Sequence, residues 1–219
     1  MKTARKVLVL ALCAVLLVSA TIMGTMAYLT STDNVVNTFT VGNVKITLDE
    51  TDVDVMGVKD SDTRVKANDY KLLPGHEYIK DPVVHVQPKS EESYVRLLVT
   101  ITNYTNAVQV LDKTDDDVIL LENYVDKNAD WTYVPAGYKQ DAQSNTATYE
   151  FRYKGTVANP STTDVFDLPA LFTKITMPDT LVNTDIAKLD GTQITVVAQA
   201  IQADGFGTAD LAWTAFDNQ

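Results

Sequence analysis

Two histidines, His76 and His85, are the chain's whole supply of imidazole, and its one cysteine, Cys13, lies inside an apolar run near the N-terminus. Catalytic zinc takes three protein ligands, commonly histidines with a carboxylate, and keeps a fourth position for water. His76-Glu77 opens like the HExxH helix of a metalloprotease, but the fifth position is Lys80, and Pro74-Gly75 just upstream marks a turn. A site of His76, His85 and a distant carboxylate stays open, and the plainer expectation is two exposed histidines in β structure. No serine sits in a GxSxG elbow. Gly205-Phe206-Gly207 follows a strand pattern without the third glycine or the lysine of a phosphate-binding loop. Asp115-Asp116-Asp117 lacks the alternating spacing and central glycine of an EF-hand loop and reads as a charged helix start, with weak calcium binding as the alternative. No catalytic, cofactor-binding or metal-binding residue is therefore expected.

The N-terminus carries a different kind of chemistry. Lys2, Arg5 and Lys6 precede an apolar run from Val7 to Met23, and the small residues Thr25 and Ala27 follow it. This is a signal-peptide pattern with cleavage between Ala27 and Tyr28, so signal peptidase is an expected partner and the protein an exported one. The alternative is an uncut anchor, because the run falls within the roughly 17 to 25 residues that span a bilayer. Cys13 is not placed for lipid attachment, since Leu12 precedes it and the apolar run continues beyond it. The C-terminal residues show neither an LPxTG-type sorting motif nor a second apolar segment. Three of the 18 basic residues and none of the 29 acidic ones precede Tyr28, which leaves 15 against 29, a net charge of −14. Nucleic acid is an unsuitable partner for such a chain, because a phosphate backbone needs a concentrated basic face. With its cysteine inside the signal, the mature protein has no disulfide, and packing and strand pairing must hold it together.

Residues 28–219 read as a single β domain. Val44, Ile46 and Leu48 alternate with Lys45 and Thr47, the period-2 pattern of a strand with one buried face. The acidic stretch 49–69 suggests an edge strand with long loops, and Pro74-Gly75 a turn. Val95, Leu97, Val99 and Ile101 form the clearest alternating run, with Leu98 interrupting the polar face so that both faces are expected to be partly covered. Thr114 to Val125 suggests a short helix started by Thr114 and Asp117. Trp131 to Val134 and Thr146 to Tyr153 suggest a hairpin whose aromatics serve packing rather than sugar binding. Val165-Phe166 and Leu171 to Met177 suggest strands at an edge or bulge around Pro169. Thr184 to Leu189 suggests one helical turn. Ile194 to Ile201 is apolar on both faces and is expected at a sheet centre. Seven to nine short strands with one or two short helices predict an antiparallel β-sandwich of jelly-roll type.

Three blocks resemble the TasA/camelysin-like family of secreted Gram-positive proteins. They are Ala27-Tyr28-Leu29-Thr30 with Asn37 to Val44; Pro74-Gly75, Lys80-Asp81-Pro82 and Tyr94-Val95-Arg96; and Ala200 to Phe206 with Ala209, Ala212-Trp213 and Ala215-Phe216. Together they cover about a third of the chain. The resemblance implies the same sandwich, a terminal amphipathic helix with Leu211, Ala212, Ala215 and Phe216 on one face, processing by a dedicated signal peptidase, and a place at the cell surface or in the biofilm matrix. It also implies self-association, in which an N-terminal strand within Tyr28 to Leu48 adds to the sheet of the next subunit, with Phe39, Val41, Val44 and Ile46 as inward anchors. An ordinary first strand of a monomer is the alternative for those residues. Camelysin-type relatives also imply a second possibility, a secreted zinc metalloendopeptidase.

Overall fold

A computed structural model describes residues 43–111 and 126–218, all within one compact unit. The Ala27-Tyr28 junction, Phe39, Val41 and the helix expected at Thr114 to Val125 lie outside the described residues.

The chain is mainly β, as its alternating patterns predict, and the pairing is antiparallel throughout the ladders. The first strand among the described residues, β1 (Ile46–Val53), turns back into β2 (Lys59–Val65). In the intervening turn the Asp54 carboxylate accepts from the amides of Met56 and Val58 at 2.9 and 3.0 Å, and Gly57 takes φ +71° against Tyr78. Then follow β3 (Glu77–Ile79), β4 (Val83–Val86) and the long β5 (Ser90–Ile101). Beyond α1 (Tyr104–Val110) come β6 (Trp131–Tyr133), β7 (Lys139–Asp141), β8 (Thr146–Tyr153), β9 (Val157–Asn159), β10 (Phe166–Asp167) and β11 (Lys174–Thr176). The chain closes with α2 (Asn183–Lys188), β12 (Ile194–Gln202) and α3 (Ala209–Asp217).

One sheet has the order β10-β4-β1-β2 and another the order β12-β5-β8-β6, with β7 and β9 attached to β8 and β5. A small third sheet pairs β11 with β3. The two larger sheets send their inner faces into one cluster, in which Val84 and Val86 of β4 join Val95, Leu97, Val99 and Ile101 of β5 and Tyr149 and Phe151 of β8. Burial of such side chains contributes about 1.5 to 3 kcal/mol each, and this is what holds a chain without disulfides. The expected hairpin forms, with Trp131 opposite Tyr153 and Tyr133 opposite Phe151. Its outgoing arm is broken into β6 and β7 by a 3-10 turn at Pro135–Gly137, where Gly137 lies against Glu150 so closely that no side chain would fit. Trp131, Tyr149 and Phe151 are core residues, and Trp131 Nε1 donates to the Pro169 carbonyl at 2.8 Å. The edge position expected near Pro169 is that of β10.

Four expectations need correction. The described residues contain twelve strands, because several are only two or three residues long and carry no periodic signal. They also contain three α-helices rather than one or two. The additional one, α1, has no side-chain cap of its own and follows Asn103 in the left-handed region. Its start is held from the β7–β8 turn, where the Asn145 side-chain oxygen accepts from the Thr105 amide at 2.9 Å and hydroxyl at 2.7 Å. Third, β12 lies at the rim of its sheet, not the centre. Its second apolar face reflects partial cover: Val196, Ala198 and Ala200 pack on the core while Val197 is 45 % exposed. Fourth, α3 buries Ala212 and Trp213, with Ala209 and Phe216 packed beside them, and leaves Leu211 exposed. The indole, larger than the leucine, sets the rotation of the helix.

Candidate functional site

The core strands alternate, so each sheet also presents an outward face, and on both sheets that face carries organised charge. On β1 the outward residues are Thr47, Asp49 and Thr51; on β4 they are Val83, opposite Asp49, and His85, opposite Thr47. His85 Nε2 lies 2.7 Å from an Asp49 oxygen, and its Nδ1 lies 2.5 Å from Asp167 on β10. Its side chain is 12 % exposed, so the expectation of two freely exposed histidines fails here. Burial alone would lower the His85 pKa, but the bonds and charges of the two carboxylates outweigh it and raise the pKa above the ordinary histidine value. Arg64 of β2 completes the lattice: its guanidinium bonds Asp49 and sits 3.2 Å from an Asp81 oxygen. Asp81 also accepts from the Thr51 amide and hydroxyl, both at 2.7 Å. Burial works against the Asp49 carboxylate, yet Arg64 and His85 hold its pKa below the usual range.

This lattice ties β10, β4, β1 and β2 together across their ladders. With both ring nitrogens on carboxylates, His85 has no free nitrogen to ligate a metal while those bonds last. His76 is elsewhere occupied, with Nε2 2.8 Å from the Met56 carbonyl and the ring edge-on to Tyr78. His76-Glu77 enters the extended strand β3, not a helix, so the HExxH geometry is absent. Among the described residues no group of three or more His, Cys, Asp or Glu side chains is placed to hold a metal ion.

On the six-stranded sheet the outward residues Arg96 of β5 and Arg152 of β8 are directly opposite one another. Such like-charge pairs repel, and the structure surrounds them with acids. The Glu150 carboxylate reaches Arg152 Nε at 2.5 Å and Arg96 Nη1 at 3.6 Å. From α3, Asp217 receives both Arg96 Nη groups and Asp210 receives Arg152. The Trp213 ring lies over the Arg96 guanidinium, 4.3 Å from ring centre to Cζ. Docking of the terminal helix is thus an electrostatic closure of this face as well as an apolar one.

A third group points inward. Following Ile46 and Leu48 along the core face of β1, Glu50 is the next residue in alternation, and it is buried. Its two oxygens hold two different nitrogens: Lys80 Nζ at 2.7 Å and Asn68 Nδ2 at 3.0 Å. The Asn68 side chain also donates to the Thr51 carbonyl at 2.8 Å and accepts from the Val53 amide at 3.1 Å. Lys80 is buried beneath Tyr70, whose phenol burial keeps protonated well above the ordinary tyrosine value. Sequence reasoning passed over this group, although a carboxylate in the inward register of β1 was a legible sign that a buried partner must exist.

Of the assembly-strand residues read from the sequence, Ile46 is the first residue of β1 and pairs with Val86 in the interior of its own sheet. Val44 is half-buried just ahead of it. The backbone there is tied down, with the Asn43 carbonyl accepting from Glu91 and the Lys45 carbonyl from Gln87. At the rim of the other sheet, β12 is bonded through β5 alone among the described strands. Although β1 passes near β12, the two share no ladder. No described helix is long and apolar enough to cross a membrane. Comparison of the chain with protein-family models, curated proteins and solved structures finds no match.

Proposed function

We propose that this is an exported structural protein of the cell surface or extracellular matrix that self-associates by strand addition. The observation that carries the reading is the rim of β12. Its nine residues, ITVVAQAIQ, contain no charge and no proline, and Val197 stands exposed in the middle. Long uncharged edges are the ones that recruit another strand, and proteins that must stay monomeric guard them. The signal-peptide pattern supplies export, and the resemblance to TasA/camelysin-like proteins supplies the setting. The incoming strand in this reading is the stretch between Tyr28 and Gly42, with Phe39 and Val41 as side-chain anchors. Val44, just ahead of the donor's own β1, and Ile46, its first residue, tether that strand to the donor's fold. Such a head-to-tail contact propagates without closing.

Electron microscopy of protein beginning at Tyr28, compared with protein beginning at Asn43, tests this. The longer form is expected to give fibres or long oligomers and the shorter form monomers. Val197→Lys in the longer form is expected to suppress assembly, because a lysine at an edge opposes pairing. Equal polymerisation of all three, or monomers throughout, refutes it. Mass spectrometry of the secreted N-terminus checks cleavage after Ala27.

A further inference from the structure

The inward cluster of Glu50, Asn68 and Lys80 brings together the parts of an amide-exchange reaction. A buried primary amine and a buried carboxylate meet a half-buried side-chain carboxamide at one site. The carboxylate's two oxygens hold the amine and the amide nitrogen at 2.7 and 3.0 Å, which places nucleophile and leaving group side by side. The carbonyl oxygen of Asn68 is polarised by the Val53 amide, and the same N–H would face the oxyanion of a tetrahedral intermediate. Burial weakens the case for keeping a charged pair here, since two neutral groups are less costly to desolvate than two ions. The geometry points to an intramolecular isopeptide bond between Lys80 Nζ and Asn68 Cγ, formed by the folded protein itself with Glu50 as the catalytic residue.

The steps balance without any co-reactant. Glu50 takes a proton from the Lys80 ammonium, leaving a neutral amine whose lone pair attacks Asn68 Cγ. Glu50 then relays a second proton from the attacking nitrogen to Nδ2. The Cγ–Nδ2 bond breaks and ammonia departs, carrying away as ammonium the proton that Glu50 first accepted. A secondary amide remains, and Glu50 is a carboxylate again. The bond joins the segment after β2 to the residue that follows β3 on the approach to β4, and so fastens the rim strand β2 to the chain leading into the sheet's interior. It is independent of the self-association proposed above.

Peptide mapping of the purified chain by mass spectrometry tests the bond. Acylated Lys80 is not cut by trypsin, so the expected product is peptide 67–71 joined to peptide 72–89, lighter than the two separate peptides' linear sum by one ammonia in addition to the uncut site. Glu50→Gln keeps the side chain's size but cannot relay protons, and is expected to yield the unlinked peptides. Asn68→Ala is expected to do the same and carries the comparison should Glu50→Gln fail to fold, with circular dichroism reporting folding. Separate, unmodified peptides from the wild-type chain overturn the proposal. So does an ammonia loss confined to peptide 67–71, which reports a succinimide at Asn68-Asp69. Linkage that persists in folded Glu50→Gln overturns the role of Glu50.

Discussion

Replacing Arg96 by methionine tests how the terminal helix is held. The side chain is 4 % exposed, bonds Gln199 at 2.8 Å and Asp217, and lies under Trp213. Methionine refills most of the volume, so the loss is electrostatic rather than a cavity. Removing one partner of a buried ion pair costs about 3 to 5 kcal/mol, and the stacked cation adds about 1 kcal/mol. Two features reduce the sum: Glu150 keeps Arg152 at 2.5 Å, and the repulsion between Arg96 and Arg152, about 1 kcal/mol for directly opposed like charges, disappears. The net expectation is a loss of about 3 kcal/mol. With a urea slope of about 2 kcal/mol per molar, the midpoint falls by about 1.5 M. Asp217→Asn is the control. That carboxylate is 47 % exposed, and solvent screening limits its share to about 1 kcal/mol or less. Urea titrations followed by tryptophan emission and by circular dichroism measure both variants. If the two lower the midpoint equally, the buried guanidinium is not what secures the face and the reasoning fails.

Other outcomes follow from single contacts. The folded-state pKa of His85 lies above its unfolded value, because the bonds to Asp49 and Asp167 outweigh the lowering effect of burial. Its stabilising contribution is therefore complete below about pH 6.5 and lost as the pH rises through the folded pKa. Wild type should lose stability relative to His85→Gln across that rise, and an NMR titration of the ring should place its midpoint above the free value; a constant difference between the two proteins would count against the clamp. Gly57→Ala puts a methyl 2.7 Å from the Tyr78 Cα at φ +71° and should cost about 2 to 4 kcal/mol. Gly155→Ala, at φ +73° with nothing within 4 Å, should cost only about 1 kcal/mol; equal melting shifts would show that sterics at Tyr78 are relieved. Thr208→Ala removes the oxygen that accepts from the Leu211 amide at 3.3 Å and should cost about 1 kcal/mol by thermal denaturation, with no loss indicating an idle cap.

The strands that carry the core were legible because their information is local. Val95, Leu97, Val99 and Ile101 announce an inward face by alternation alone, and all four are buried. What sequence reasoning lost was non-local. The α1 helix is capped by Asn145, forty positions along the chain, while the adjacent Asn103, a residue type that often caps, makes no side-chain cap bond. Apolar residues on both faces of β12 suggested a sheet centre, whereas the strand is a rim strand with one face only partly covered. Periodicity placed Leu211 on the buried face of α3, but the stacking of Trp213 on Arg96, a partner in another strand, decides the rotation. The candidate sites divide the same way. Glu50 was visible as a carboxylate in an apolar register, while its meeting with Asn68 and Lys80 depends on loops whose paths no spacing specifies.

The tie-down of Asn43 and Lys45 has a mechanical meaning. Tension applied at that point enters β1 along its own axis, and β1 is flanked on both sides by antiparallel partners, β4 and β2. The load is shared by many ladder bonds in shear, so rupture requires them to fail together. Tension applied at the other end meets a short helix that can be peeled from its face one contact at a time. The described fold is therefore stiff where tension enters at Asn43 and yielding where it enters at Asn218. Optical-tweezer unfolding with handles at Asn43 should record a higher rupture force than handles at Asn218 against a common interior anchor in β5.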